Sequence, residues 1–150
     1  MAQNELDELY GDDVIRDHHN NPRNSEKLQS PDIVADAVNP FCGDEIHFQM
    51  NLDDQNRVSE VGYKGVGCAI CRAAGSMLSE AIKGHTLEEA EEVSGLFQDM
   101  MFGAEPTEDQ AELLGDLTSM TGVRAFPIRI KCALLSLTAL EDGISEYRQK

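Results

Sequence analysis

The chain is poor in positive charge and in aromatic side chains. It contains 12 Lys and Arg against 28 Asp and Glu, no Trp and 5% aromatic residues, and its formal net charge is -16. Because nucleic acids and anionic membranes bind proteins through positive surfaces, this charge argues against both as partners. The acidity is interpreted as an aid to solubility or a consequence of a salty cytoplasm, or alternatively as attraction to a basic patch on a partner protein.

Long apolar runs are also absent. No N-terminal apolar run resembles a signal peptide, and no apolar stretch is long enough to span a bilayer, so we expect a soluble, cytoplasmic protein. In that reducing compartment the four cysteines indicate metal or sulfur chemistry rather than two disulfides. A length of 150 residues with 41% hydrophobic residues predicts a single domain, 1–150, with a real core.

The middle of the chain has the alternation that is typical of β-strands. Apolar and polar residues alternate over 45–53, and the turn residues at 53–56 lead into an antiparallel partner over 58–66. The apolar phase slips near the start of that partner, between Val58 and Val61, which predicts a β-bulge. The short apolar run 33–38 predicts a third strand.

Helical patterns account for most of the remaining sequence. The first amphipathic pattern begins at residue 6 and ends at Asn20-Asn21-Pro22, and a second covers 70–82 before Gly84. Capping boxes open two further helices, at Thr86-x-x-Glu89 and Thr107-x-x-Gln110. A last helix is predicted from Pro127 to about Gly143. The order of elements predicts an α+β fold in which a small three-stranded antiparallel sheet packs against several α-helices.

A cysteine and a carboxylate at metal-ligand spacing lie before the second predicted strand. Pro40 and Gly43 bracket Cys42 in a turn, so the Cys42 thiol and the Asp44 carboxylate can converge on one point. Two side chains do not complete a tetrahedral shell. The remaining candidates are Cys68, Cys71 and Cys132.

Cys68 and Cys132 both occupy positions that favour a thiolate. Cys68 precedes a helix whose unpaired N–H groups favour an anion, which suits a zinc thiolate. Cys132 is predicted to lie away from the apolar stripe of the last helix, with Arg129 and Lys131 close enough to stabilise a thiolate or an anionic metal complex. We therefore interpret Cys132 as a ligand or reactive thiol rather than a core residue.

Cys71 and the histidines carry weaker signals. Cys71 forms a C-x-x-C pair with Cys68, which is compatible with a zinc knuckle or a redox pair, but a zinc ribbon needs a second such pair. Its place at the edge of an apolar stripe favours a half-buried structural residue. The histidines are interpreted as non-ligands: His18, His19, His47 and His85.

Several motifs occur in an order that resembles one family. They are Asn21-Pro22-Arg23-Asn24, Asn39-Pro40-x-Cys42-Gly43-Asp44, Gly65-x-Gly67-Cys68-Ala69-Ile70 and Pro127-x-Arg129-Ile130-Lys131-Cys132-Ala133. Together they resemble the U-type iron–sulfur cluster assembly proteins over nearly the whole chain. The chain is most similar to the SufU type, because Lys131 stands where IscU scaffolds have histidine and because 103–122 looks like the acidic helical insertion of SufU proteins.

The resemblance implies a SufE/IscU-like fold and a zinc-dependent sulfurtransferase. Such a protein accepts persulfide sulfur from a PLP-dependent, SufS-type cysteine desulfurase and passes it to an iron–sulfur scaffold or an apo-protein. The implied zinc ligands are Cys42, Asp44, Cys68 and Cys132. Cys42 is also the implied sulfur acceptor, and Arg129 a basic catalytic residue beside the site.

Two other functions remain open at this point. One is a scaffold on which an iron–sulfur cluster is assembled on the same ligands, and the other is a zinc-stabilised interaction module without catalysis. Lys131 favours the sulfur carrier, because lysine is a poor cluster ligand. The sequence departs from the family at Cys71, where serine is usual, so a fourth thiolate could compete with Asp44.

Overall fold

The computed structural model describes residues 13–39 and 43–149. In chain order, the elements are α1 (Asp13–Asn20), β1 (Ile33–Asn39), β2 (Asp44–Leu52), β3 (Val58–Val66), α2 (Ala69–Ile82), α3 (Leu87–Met101), α4 (Glu108–Leu114), a 3-10 segment (Gly115–Ala125) and α5 (Pro127–Gln149). The predicted α+β fold class is confirmed. The predicted beginning of the first helix, at residues 6–12, lies outside the described residues.

The three strands form one antiparallel sheet in the order β1-β2-β3. The predicted bulge is present where β2 and β3 begin to pair. Asn51 pairs with Glu60 whereas the next residue, Leu52, pairs with Val58, so Ser59 is the additional residue on β3. The bulge therefore keeps the apolar side chains of β3 on the same face of the sheet before and after Ser59.

One face of the sheet is covered by α2 and α5 and forms the core. Ile46, Phe48 and Met50 on β2 all point to this face and have no exposed surface. The Tyr63 ring lies over α2 at Gly75, where any Cβ would overlap the ring. These contacts fix α2 against the strands and so fix the residue that precedes it, Cys68.

The last helix is longer than predicted. Gly143, expected to end the helix, lies inside α5, where a Cβ would overlap Ala35 on β1. The glycine therefore lets α5 approach the sheet closely and does not terminate the helix. Because α5 also packs against α2, its buried surface is wider than one stripe, and Cys132 lies within that surface.

Both predicted capping boxes are present. The Thr86 hydroxyl accepts from the Glu89 N–H while the Glu89 carboxylate accepts from the Thr86 N–H, and Thr107 and Gln110 do the same at α4. The stretch 103–122 contains α4 and part of the 3-10 segment. The capping box predicts α4, whereas no sequence pattern predicts the 3-10 segment.

The 3-10 segment is tied to the first helix by a buried histidine. The ring nitrogens of His18 lie 2.8 Å from the Ser76 hydroxyl on α2 and 2.8 Å from an Asp116 carboxylate oxygen. His18 is 1% exposed, so this network fixes α1, α2 and the 3-10 segment together. Among the described residues, no helix has the length and apolar character needed to cross a membrane.

Candidate metal centre

The centre is built around a buried carboxylate. Asp44 is the first residue of β2 and is only 1% exposed. Its Oδ1 accepts a 3.0 Å hydrogen bond from the Cys68 N–H, and its Oδ2 accepts from the Cys68 thiol at 3.6 Å. A buried carboxylate is costly unless donors or cations face it. The burial of Asp44 therefore indicates a carboxylate with a functional role.

Cys68 is held at the N-cap of α2. Its Sγ accepts a hydrogen bond from the Cys71 N–H at 3.4 Å, in the way an N-cap side chain meets the first turn of its helix. The preceding residue, Gly67, has a φ of 130°, and a Cβ there would overlap the Asp44 carboxylate. The turn from β3 into α2 therefore requires glycine for two separate reasons, and both place Cys68 beside Asp44.

Cys132 reaches the same point from α5. It is 1% exposed, and its thiol donates to the Ile128 carbonyl at 3.7 Å. Burial raises the pKa of this thiol well above its usual range, and the hydrogen bond to Asp44 and the neighbouring Cys68 raise it further. The prediction that Cys132 lies away from the buried face of its helix was wrong, since α5 is buried on more than one side.

The three side chains converge on one small volume. One donor atom each from Asp44, Cys68 and Cys132 lies within 4.8 Å of the other two. Over residues 13–39 and 43–149, no other set of three His, Cys, Asp or Glu side chains meets in this way. Three elements that are distant in sequence, the start of β2, the N-terminus of α2 and the second turn of α5, thus form a candidate metal centre.

The donor set fits zinc. Two thiols and a carboxylate are ligands that Zn²⁺ takes in tetrahedral sites, whereas magnesium and calcium prefer oxygen alone. The three acidic groups lie close together, and this raises the pKa of Cys132. A divalent cation between them would stabilise their deprotonated forms. The predicted fourth ligand, Cys42, lies outside the described residues.

The residues that flank position 42 lie beside the centre. Asn39 is the sheet partner of Asp44, and its carbonyl accepts a 2.8 Å hydrogen bond from the Gly43 N–H. Gly43 has a φ of 75°, a conformation that glycine adopts without strain. The chain therefore leaves β1 and enters β2 next to the Asp44 carboxylate.

The other candidate residues lie outside the cluster. Cys71 has no exposed surface, so it is more deeply buried than the half-buried residue predicted. Arg129 is half-buried, three residues before Cys132 on α5. His18 bonds to Ser76 and Asp116, and the other three histidines are not part of the cluster either.

Comparison with known proteins finds relatives among the iron–sulfur cluster assembly proteins. The family described as "NifU-like N terminal domain" matches residues 9–150. The chain is 46% identical over 141 residues to the zinc-dependent sulfurtransferase SufU of Bacillus subtilis, covering 94% of this chain and 92% of the relative. It is 34% identical over 145 residues to the iron–sulfur cluster assembly scaffold protein IscU of Streptococcus pyogenes, covering 96% and 87%.

A solved structure supports the same relationship. The crystal structure of FiSufU from the thermophile Fervidobacterium islandicum matches with a TM-score of 0.82 and 29% sequence identity, over 91% of this chain and 97% of that one. The family match and the SufU relative both extend over more than nine-tenths of the chain. The chain belongs to the family of NifU-like N-terminal domains.

Proposed function

We propose that this protein is a zinc-dependent sulfurtransferase of iron–sulfur cluster assembly. The observation that carries the proposal is the convergence of Asp44, Cys68 and Cys132 within 4.8 Å. The 46% identity to the zinc-dependent sulfurtransferase SufU supports zinc as the metal and sulfur transfer as the reaction. Its partner is a PLP-dependent cysteine desulfurase of the SufS type, and both act in the cytoplasm.

The proposed zinc ligands are Asp44, Cys68, Cys132 and Cys42. Asn39 and Gly43 both lie beside Asp44, and only three residues separate them in sequence. The segment that contains Cys42 is therefore joined to the centre at both ends, which supports Cys42 as the fourth ligand. Bound zinc supplies the positive charge that keeps its cysteine ligands deprotonated and adds its binding free energy to folding.

Sulfur transfer is a thiol exchange that needs no external oxidant. The Cys42 thiolate attacks the terminal sulfur of the desulfurase persulfide, the S–S bond of that persulfide breaks, and its electron pair leaves with the desulfurase cysteine thiolate. A new S–S bond on Cys42 carries the sulfur. Arg129, near the site on α5, supplies positive charge for the anionic persulfide.

Cys42 is the proposed acceptor because the other two thiols are held in place. Cys132 is buried on α5, and Cys68 is fixed at the N-cap of α2 by hydrogen bonds to Asp44 and from Cys71. The sequence predicts a turn at Cys42, and a turn residue can move toward a partner more readily than a residue on a packed helix. The sulfur then passes to an iron–sulfur scaffold or directly to an apo-protein.

A second candidate function is the cluster scaffold itself. The 34% identity to IscU supports it, and the same four residues could hold iron instead of zinc. Lys131, which is exposed, argues against it, because lysine is a poor ligand for an iron–sulfur cluster. Anaerobic reconstitution with iron and sulfide, followed by visible absorption, tests this candidate.

The deciding experiment measures desulfurase turnover with cysteine in the presence and absence of this protein. We expect the protein to contain one zinc as isolated and to stimulate turnover, and Cys42→Ala protein to bind the partner without stimulating it. A non-catalytic module would leave turnover unchanged. Zinc content far below one equivalent in correctly folded protein would contradict the proposal.

A further inference from the structure

We propose that Cys68 and Cys71 form a redox-active dithiol whose oxidation to a disulfide releases the metal. The oxidant is a peroxide, and a thiol reductant reverses the change. The inference rests on the proposed function only in taking Cys68 as a metal ligand, since formation of the disulfide depends on the two cysteines alone.

The local geometry places the two residues one helical turn apart. Cys68 is the N-cap of α2, with φ -72° and ψ 161°, and Cys71 is the third residue of the helix. The Cys68 sulfur already lies 3.4 Å from the Cys71 backbone nitrogen. Side chains three apart on a helix have Cβ atoms about 5–6 Å apart, whereas a disulfide joins Cβ atoms about 3.5–4.5 Å apart. Bridging therefore requires the first turn of α2 to shift by about 1–2 Å, together with side-chain rotation.

Burial gives the two thiols different roles. Cys68 is half-buried and accessible from solvent, whereas Cys71 has no exposed surface. Hydrogen peroxide therefore oxidises Cys68 first, giving a sulfenic acid and one water. The Cys71 thiol then attacks that sulfur and displaces the second oxygen as water, so that two thiols and one peroxide become one disulfide and two waters.

Cys71 can take this role because the metal cluster forms without it. The donor atoms that meet within 4.8 Å belong to Asp44, Cys68 and Cys132. Oxidation removes Cys68 from this set, since a disulfide sulfur is no longer a thiolate ligand. The disulfide also protects Cys68 from irreversible oxidation to the sulfinic acid.

Cys132 is the competing partner, because its sulfur lies within 4.8 Å of the Cys68 sulfur. We favour Cys71 for an entropic and a geometric reason. Cys71 belongs to the same helical turn as Cys68, so the ring that the disulfide closes is short. Cys132 belongs to a different helix, α5, so a bridge to it would have to meet the strict disulfide geometry across two packed helices rather than within one turn.

The sequence makes the test direct, because tryptic cleavage after Lys64 and Arg72 gives one peptide, 65–72, that contains both Cys68 and Cys71. Cys42 and Cys132 fall on two other peptides. Zinc-loaded, full-length protein is treated with hydrogen peroxide while a chromogenic chelator reports zinc release, and its remaining thiols are then alkylated before digestion and mass spectrometry. We expect peptide 65–72 to lose two hydrogens, without alkylation, in step with zinc release. A disulfide that links this peptide to that of Cys132 or Cys42, with Cys71 alkylated, overturns the proposal.

Cys71→Ser provides the matched control, because it removes one thiol and keeps the backbone N–H that bonds to Cys68. Before oxidation the variant should bind zinc as the wild type does. After peroxide and then reductant, the wild type should recover its zinc and the variant several-fold less, with the missing fraction present as Cys68 sulfinic acid. Equal recovery refutes the protective role. If reduced wild-type protein binds no zinc, the proposed function fails, but peptide 65–72 still shows whether the disulfide forms. If the variant does not fold, disulfide mapping of the wild type alone decides whether Cys68 pairs with Cys71.

Discussion

The backbone N–H of Cys68 donates a 3.0 Å hydrogen bond to Oδ1 of Asp44, and the Cys68 thiol donates to Oδ2 of the same carboxylate at 3.6 Å. The first residue of β2 and the N-cap of α2 are therefore joined through the two groups that we propose as metal ligands. Asp44 thus has two roles in the same place. It supplies a donor atom to the cluster, and it orients the residue that supplies the next one.

Replacing this carboxylate should weaken zinc binding without abolishing it. Asp44→Ala leaves Cys68 and Cys132, and with them Cys42, so we expect the zinc dissociation constant to rise on the order of tenfold or more, about 1.4 kcal/mol for each factor of ten. Competition with a chelator of known affinity measures it. Asp36→Ala, which removes an exposed carboxylate on the outer face of the sheet, is the control and should leave zinc affinity unchanged. If Asp44→Ala protein loses zinc as completely as Cys68→Ala protein, the carboxylate is an anchor and our interpretation is wrong.

Gly67 should be intolerant of any side chain. Gly67→Ala puts a Cβ into the Asp44 carboxylate at a φ of 130°, so we expect a loss of unfolding free energy of about 1–3 kcal/mol from the backbone alone, together with weaker zinc binding. Gly95→Ala is the matched control. Gly95 lies inside α3 with no atom within 4 Å of an added Cβ, and the change should stabilise the protein by up to about 1 kcal/mol. Urea unfolding of both variants, with and without zinc, gives the comparison, and equal behaviour would remove Gly67 from our account of the site.

Much of the fold could be predicted because its signals are local. The alternation along β2 and the two capping boxes each depend on residues a few positions apart, and the structure contains all of them. The length of α5 could not be predicted in this way. Gly143 is a helix-ending residue by local rules, and only the position of Ala35 on β1 shows that it is a packing residue.

The candidate site also has features that local sequence signals predict and features that only tertiary contacts reveal. Residue type and motif identify Asp44, Cys68 and Cys132 as candidates, and the structure brings their donor atoms together. The burial of Cys132 could not be predicted, because the apolar pattern indicates a single stripe, whereas α5 is covered on more than one side. The collision that a side chain at position 67 would cause with Asp44 is a tertiary contact, and no spacing in the sequence encodes it.

Tyr63 should make stability depend on pH in the alkaline range. Burial raises the pKa of its phenol well above the ordinary value of 10.0, so the unfolded chain releases this proton first as pH rises. The stabilisation is fully present below pH 10 and is lost above it, by about 1.4 kcal/mol per pH unit for one proton. In Tyr63→Phe protein this loss should be absent, although the variant should be less stable at neutral pH by about 1 kcal/mol, because it lacks the 2.8 Å hydrogen bond to the Arg72 carbonyl. Urea unfolding on both sides of pH 10 should show the two stability curves converging as pH rises, and parallel curves would contradict the prediction.

The cysteine variants should fail in two different ways, and the difference separates a sulfur carrier from a scaffold. Cys68→Ala and Cys132→Ala should lose zinc and thermal stability, because both side chains are built into packed helices and metal binding free energy is part of folding free energy. Cys42→Ala should fold, since it leaves intact the cluster of Asp44, Cys68 and Cys132, yet it should neither stimulate the desulfurase nor acquire a persulfide. Mass spectrometry of the intact protein and of its tryptic peptides, after incubation with desulfurase and cysteine, locates the added sulfur. Added sulfur on Cys132 with Cys42 unmodified would mean that the turn residue is not the acceptor, and the protein would then behave as a scaffold rather than as a sulfurtransferase.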